Sequence, residues 1–187
     1  MPACLKNRLP VAALLLLFAL PTAADFKVMD VQPRFDGGTL LLNGNIDLTL
    51  SAKVEEALSK GIQLEVVIDV RLYRLRWFVW HQGIGSWTLR RRIGYHALSG
   101  QYLVSTSETN AETKESHSSA QEALKALGVL NDVKLTLAAD APPESDYSVE
   151  VRANLDIEAL PSPLRPVAYT SLAWRLNSGW STWKLAP

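Results

Sequence analysis

Cysteine is almost absent from this chain. The single one, Cys4, lies within the first 24 residues, so everything after them has no thiol, no disulfide and no cysteine to acylate. Cysteine catalysis and zinc–thiolate sites are thereby excluded. A domain of this length manages without covalent staples, which become necessary mainly where the core is too small. Imidazoles are scarce too: His81, His96 and His117 are the three in the chain. No HExxH, no GxSxG, no glycine-rich phosphate loop opening a helix and no EF-hand spacing occurs. Past residue 24 no segment is apolar enough to span a bilayer.

What is present begins with a leader. Lys6 and Arg8 form a short positive region, Leu9 to Leu20 is an almost unbroken apolar run, and Pro21-Thr22-Ala23-Ala24 closes it with small residues before Asp25. That order is a secretory signal peptide. The run is well short of the ~20 residues that cross a membrane. We therefore expect residues 1–24 to be a signal peptide cut after Ala24, and residues 25–187 to be a single β-rich exported domain.

The leader holds two of the 19 basic residues and none of the 19 acidic ones, so the exported part is close to neutral. Its charges are unevenly placed. From Arg71 to Gly100 there are six arginines and no acid, whereas Gln101 to Glu158 carries eleven acids and four basic residues. This asymmetry points to one basic face on a mildly acidic molecule and gives no sign of a nucleic-acid partner.

Period-two alternation dominates the chain. It runs through Leu40 to Leu50, Ile62 to Val70, Trp87 to Ala97, Val133 to Leu137 and Tyr147 to Ile157, and with Phe26 to Val31 and Gln101 to Ser107 it predicts seven or eight strands. Two helices interrupt them. One follows Ser51 as N-cap and stops at Gly61; the other begins near Ser118, with Gln121 at capping-box spacing, and ends at Gly128. The polar run Ser107 to Ser116 reads as an exposed loop, as does Asp140 to Pro143. The prolines of Leu160-Pro161-Ser162-Pro163-Leu164-Arg165-Pro166 predict an extended segment. The expected class is mainly β: an antiparallel β-sandwich, with an immunoglobulin-like form among the arrangements considered, carrying two short helices.

Around residue 72 the apolar phase flips, the mark of a β-bulge. The glycines of Trp80-His81-Gln82-Gly83-Ile84-Gly85-Ser86-Trp87 then suggest a hairpin folded about Ile84. In that register Arg76 opposes Arg92, Tyr73 opposes Tyr95, and Arg74, Arg76, Arg90 and Arg92 share one face. Like charges across a ladder are unfavourable, so the cluster calls for an anionic partner; acids of a neighbouring strand, such as Glu150 or Asp156, are the intramolecular alternative. Arg91 falls on the other face, near Trp77. Trp77, Trp80 and Trp87 gather near the tip, either to meet a membrane interface or to seal the core, and Trp174, Trp180 and Trp183 are expected to cap the core's other side. Glu55-Glu56 points apart on a helix and reads as solvated.

The run Ala120 to Gly128, Leu155-Asp156-Ile157, Leu160 to Pro166, and Trp174-Arg175-Leu176-Asn177-Ser178-Gly179-Trp180 resemble an uncharacterised family of proteobacterial exported proteins of unknown function. The resemblance implies a periplasmic location and a gene neighbourhood that often holds a sensor histidine kinase of the nitrogen-regulation type; it supplies no catalytic residues. The leading expectation is a non-catalytic binding module without cofactor or metal, its binding residues Arg74, Arg76, Arg90, Arg92, Trp77, Trp80 and Trp87, and its partner the periplasmic part of such a kinase. The alternatives are a peripheral protein binding anionic lipid through the arginine and tryptophan hairpin, and an envelope hydrolase with a dispersed site.

Overall fold

In a computed structural model that describes residues 25–36, 38–74, 82–108, 111–137 and 146–185, two antiparallel sheets lie face to face. β1 (Phe26–Asp36) and β2 (Thr39–Leu48) form a hairpin, and β7 (Val129–Thr136) pairs with the other edge of β2. β3 (Leu64–Arg74), β4 (Gln82–His96), β5 (Gln101–Glu108) and β6 (Ala111–His117) follow one another as a meander. β8 (Tyr147–Leu155) and β9 (Ser181–Lys184) extend it on the far side of β3, giving the order β6-β5-β4-β3-β8-β9. Three strands pack on six among the described residues, a sandwich in which the four-on-three immunoglobulin arrangement does not appear. Among the described residues no helix is long and apolar enough to cross a membrane.

Alternation explains the layers. Leu40, Leu42, Ile46 and Leu48 of β2 face Val66, Ile68, Val70 and Leu72 of β3 and Val149, Val151 and Ala153 of β8 in one continuous apolar cluster. Each fully buried aliphatic side chain there contributes about 1.5–3 kcal/mol relative to exposure, so the two inner faces hold the sheets together.

Helices form where the chain crosses between sheets. α1 (Ala52–Ser59) starts as expected at Ser51, whose Oγ accepts the Val54 N–H (3.3 Å), and stops at Gly61 with φ +85°. α2 (Ala120–Gly128) is capped by Ser119, one residue later than expected: Ser119 Oγ accepts the Glu122 N–H at 3.2 Å while Ser118 donates to the Glu122 carboxylate. Gly128 is required by close approach and not by a left-handed turn, since a Cβ there would stand 2.0 Å from the Ile46 carbonyl.

The structure departs from the sequence pattern in three further places. Ala111–His117, read as loop, is the edge strand β6. It shows no alternation because both faces of an edge are wet, and Glu112, Lys114 and Glu115 protect that edge against further pairing. β9 was not foreseen at all. The proline-rich segment is not extended: its end begins a helix, α3 (Arg165–Thr170), with Pro166 in the first turn, where a missing N–H is harmless. A single 3-10 turn, Leu172–Trp174, follows α3. The bulge expected near residue 72 is there, between Leu72 and Tyr73. The loop expected at Asp140 to Pro143 lies outside the described residues.

Candidate functional site

The outer face of the six-stranded sheet collects the arginines, in a register different from the expected one. Arg74 opposes Gln82, so the β3–β4 pair is not folded about Ile84, and Glu65 opposes Arg92 and Val67 opposes Arg90. Tyr73 lies opposite Gly83, and Tyr95 opposite Tyr102 on β5. The glycines that suggested the turn serve another purpose. Ile84 is the extra residue of the bulge, and a Cβ on Gly85 would stand 2.3 Å from the Trp87 indole, which folds back over it.

Four arginines on one face is therefore corrected. Arg74 opposes Tyr147, a buried ring set edge-on to Phe35, and so belongs to the side turned toward the three-stranded sheet. Trp87 sits on the inward side of β4, its Nε1 donating to the Thr136 carbonyl across the sandwich at 3.2 Å, as the sealing role requires. Arg76, Trp77 and Trp80, with His81, lie outside the described residues.

Arg90 and Arg92 do point outward, onto a carboxylate. Arg90 Nη1 donates to Glu65 Oε1 (2.5 Å) and Asp156 Oδ2 (3.0 Å), and Arg92 Nε donates to Glu65 Oε2 (2.6 Å). The Glu65 side chain is 8% exposed and the two guanidiniums are half exposed. Burial pushes the Glu65 carboxyl up, but the bonds from Arg92 and Arg90 outweigh it and hold the pKa below the ordinary glutamate value. The same bond to Glu65, then that to Asp156, raises the Arg90 pKa. The intramolecular alternative thus holds: Asp156 and Glu65 neutralise this pair.

Arg91 goes inward, as alternation demands, with 3% of its surface exposed. Its Nη1 donates to the carbonyls of Leu127 (2.7 Å) and Val129 (2.5 Å), placing a cation on the negative end of α2.

A second centre was not foreseen. On the same outer face Asp69 accepts from Arg152 Nη2 (2.7 Å) and Thr88 Oγ1 (3.1 Å). The guanidinium carbons of Arg71 and Arg152 lie 4.1 and 4.5 Å from the centroid of the Trp180 indole, within cation–π range. Trp180 is thus no cap of the core; Trp174 is, at 5% exposure. Arg71 is exposed and, among the described residues, has no carboxylate within 4.0 Å, although Glu150 is its neighbour across the ladder. The outward parity that Arg71 shares with Asp69 was readable in the alternation; the return of residue 180 over that face was not.

Two clefts, of about 560 and 420 Å³, open beside α2. The larger is lined by Leu48, Leu50 and Leu124 with Asp47, Glu55 and Lys125, the smaller by Arg91, Thr106, Thr113 and Glu115. No group of three His, Asp or Glu side chains among the described residues is arranged to hold a metal.

The family model described as domain of unknown function DUF4390 matches residues 23–184. The chain belongs to that family. The match runs from two residues before Asp25 to the end of β9, so the DUF4390 domain and the sandwich are the same object. Neither a curated protein nor a solved structure matches the chain.

Proposed function

We propose that this DUF4390 chain is an exported, non-catalytic binding module of the cell envelope. It holds a protein partner against the outer face of its six-stranded sheet, with Arg71 and Trp180 at the centre of the contact and Arg90 and Arg92 at its margin. The observation that carries this reading is Arg71: an exposed guanidinium laid on an indole at 4.1 Å, with no carboxylate of its own among the described residues. Its planar fork of donors is held in advance of binding, which suits a bidentate carboxylate on the partner. Arg90 and Arg92 differ because Glu65 already occupies them.

The apolar filling between the sheets supports a binding role over an enzymatic one. The leader motif supports export, and the family match over residues 23–184 supports a single domain beginning near Asp25. The resemblance to proteobacterial exported proteins makes the periplasmic region of a nitrogen-regulation-type sensor kinase the first partner to try.

The test is in-cell photocrosslinking from Ser86, the β4 neighbour of Arg71. A discrete protein adduct that disappears with Arg71→Ser is the expected result. An adduct indifferent to Arg71→Ser, or no protein adduct, would overturn the reading.

A further inference from the structure

The end of the sandwich at which β1 starts carries an apolar surface that the outer-face reading leaves unused. From Ala159 to Trp174 the chain has one charged residue, Arg165, and three of the exposed large hydrophobic residues, Val167 (58%), Tyr169 (46%) and Leu172 (79%), fall within this stretch. Pro161, Pro163 and Pro166 are exposed beside them. Isolated apolar side chains on a surface are ordinary, but three exposed ones within six residues concentrate apolar area at this end of the molecule, which water disfavours.

The patch is tied to the start of the domain. Asp25 Oδ1 accepts the N–H of Asn177 (3.1 Å), and Ser51 Oγ donates to the carbonyl of Ala173 (2.7 Å). Phe26 opposes Leu48, three residues before Ser51. The first residue of β1, the start of α1 and the 3-10 turn therefore share one end of the molecule. Five residues before Asp25 the apolar run ends at Leu20, and a chain of that length spans at most roughly 18 Å. For as long as the leader is joined and lodged in a bilayer, this end is kept within about that distance of the lipid.

The flanking charges fit that surface. Arg165 and Arg175 border the patch; of the acids at this end, Glu158 is engaged by Arg165 (3.7 Å) and by the Tyr169 hydroxyl, and Asp25 accepts the N–H groups of Phe26 and Asn177. A tyrosine with its ring in an apolar patch and its hydroxyl at the edge suits the interfacial zone, and arginines there meet lipid phosphates.

We propose that this end is a membrane-docking surface, with Val167, Tyr169 and Leu172 entering the headgroup boundary of an anionic bilayer and Arg165 and Arg175 lying against its phosphates. The strands then stand on the membrane by their ends, and the outer face of the six-stranded sheet is presented sideways. This surface is separate from the arginine and tryptophan hairpin of the sequence-based alternative, and it stands whether or not the outer face has a partner.

The experiment uses the full chain with Cys4→Ser, carrying Leu172→Cys or Thr88→Cys labelled with an environment-sensitive fluorophore, added to vesicles of phosphatidylcholine and phosphatidylglycerol. Leu172 is exposed, so the substitution leaves the fold intact. The expected result is vesicle binding with a blue shift of the label at position 172 and none at position 88. A bound chain whose label at 172 still reports water, an equal shift at both positions, or a chain that does not bind would each overturn the proposal.

Discussion

Arg91 and its neighbours Arg90 and Arg92 are the same side chain at three successive positions of β4, and the pleat sends them into different surroundings. The outer two meet a carboxylate shielded from water and remain half exposed. The inner one is buried and meets two carbonyls at the end of α2. A guanidinium can thus lock a helix to a sheet or balance a buried acid, depending only on the parity of its position. A third case, Arg71, has neither acid nor carbonyl among the described residues and rests on an indole. The comparison separates structural arginines from one that is available to a partner.

The sharpest way to break the comparison is Arg91→Met, which keeps the stem but removes two bonds to carbonyls. Such charge-assisted bonds are worth about 1.5–3 kcal/mol each, so a loss of about 3 kcal/mol is expected, read as a lower urea midpoint with unchanged slope. Glu65→Ala should cost about 2 kcal/mol, less because water can reach the half-exposed Arg90 and Arg92 once the carboxylate is gone.

Acid sharpens the same point. The Glu65 pKa is lowered on folding, so its stabilising contribution is fully present above the unfolded value near 4.5 and is lost as pH falls through the lower folded value. The native protein should therefore lose stability more steeply below about pH 4.5 than Glu65→Ala does. Equal slopes in a pH series of urea titrations would contradict the role given to Glu65.

Ser119→Ala removes the cap at the opposite end of α2 from Arg91 and should cost about 1 kcal/mol. It measures how far the two ends of one helix differ. At the small end, Arg34→Ala breaks an ion pair with Asp132 in which both side chains are about 60% exposed, and about 0.5 kcal/mol or less is expected. A larger effect there would mean that exposed pairs weigh as much as the shielded ones.

Much of this architecture was written locally. Ser51 and Gly61 bound α1 because capping and left-handed turns have residue requirements of their own, and alternation marked the inward faces of β2, β3, β4 and β8. Even Asp156 could be named as a partner for the arginines. What failed depended on pairing over distance. The Gly83 and Gly85 pair looked like a turn because a glycine's reason for being there, here the Trp87 ring over Gly85, is invisible until the tertiary contact forms. β6 has no apolar face to declare it, α3 carries a proline in its first turn where helices are not looked for, and Trp180 reaches Arg71 only by a return of the chain after β8. The candidate site moved accordingly, from Arg74, Arg76, Arg90 and Arg92 to a centre on Arg71 and Trp180.

The most direct test of that shift is the affinity of the captured partner for the native protein, for Arg71→Gln and for Arg92→Gln. Our account predicts a loss of about tenfold or more, about 1.4 kcal/mol, with Arg71→Gln, and a much smaller change with Arg92→Gln. Equal losses, or a loss confined to Arg92→Gln, would contradict it.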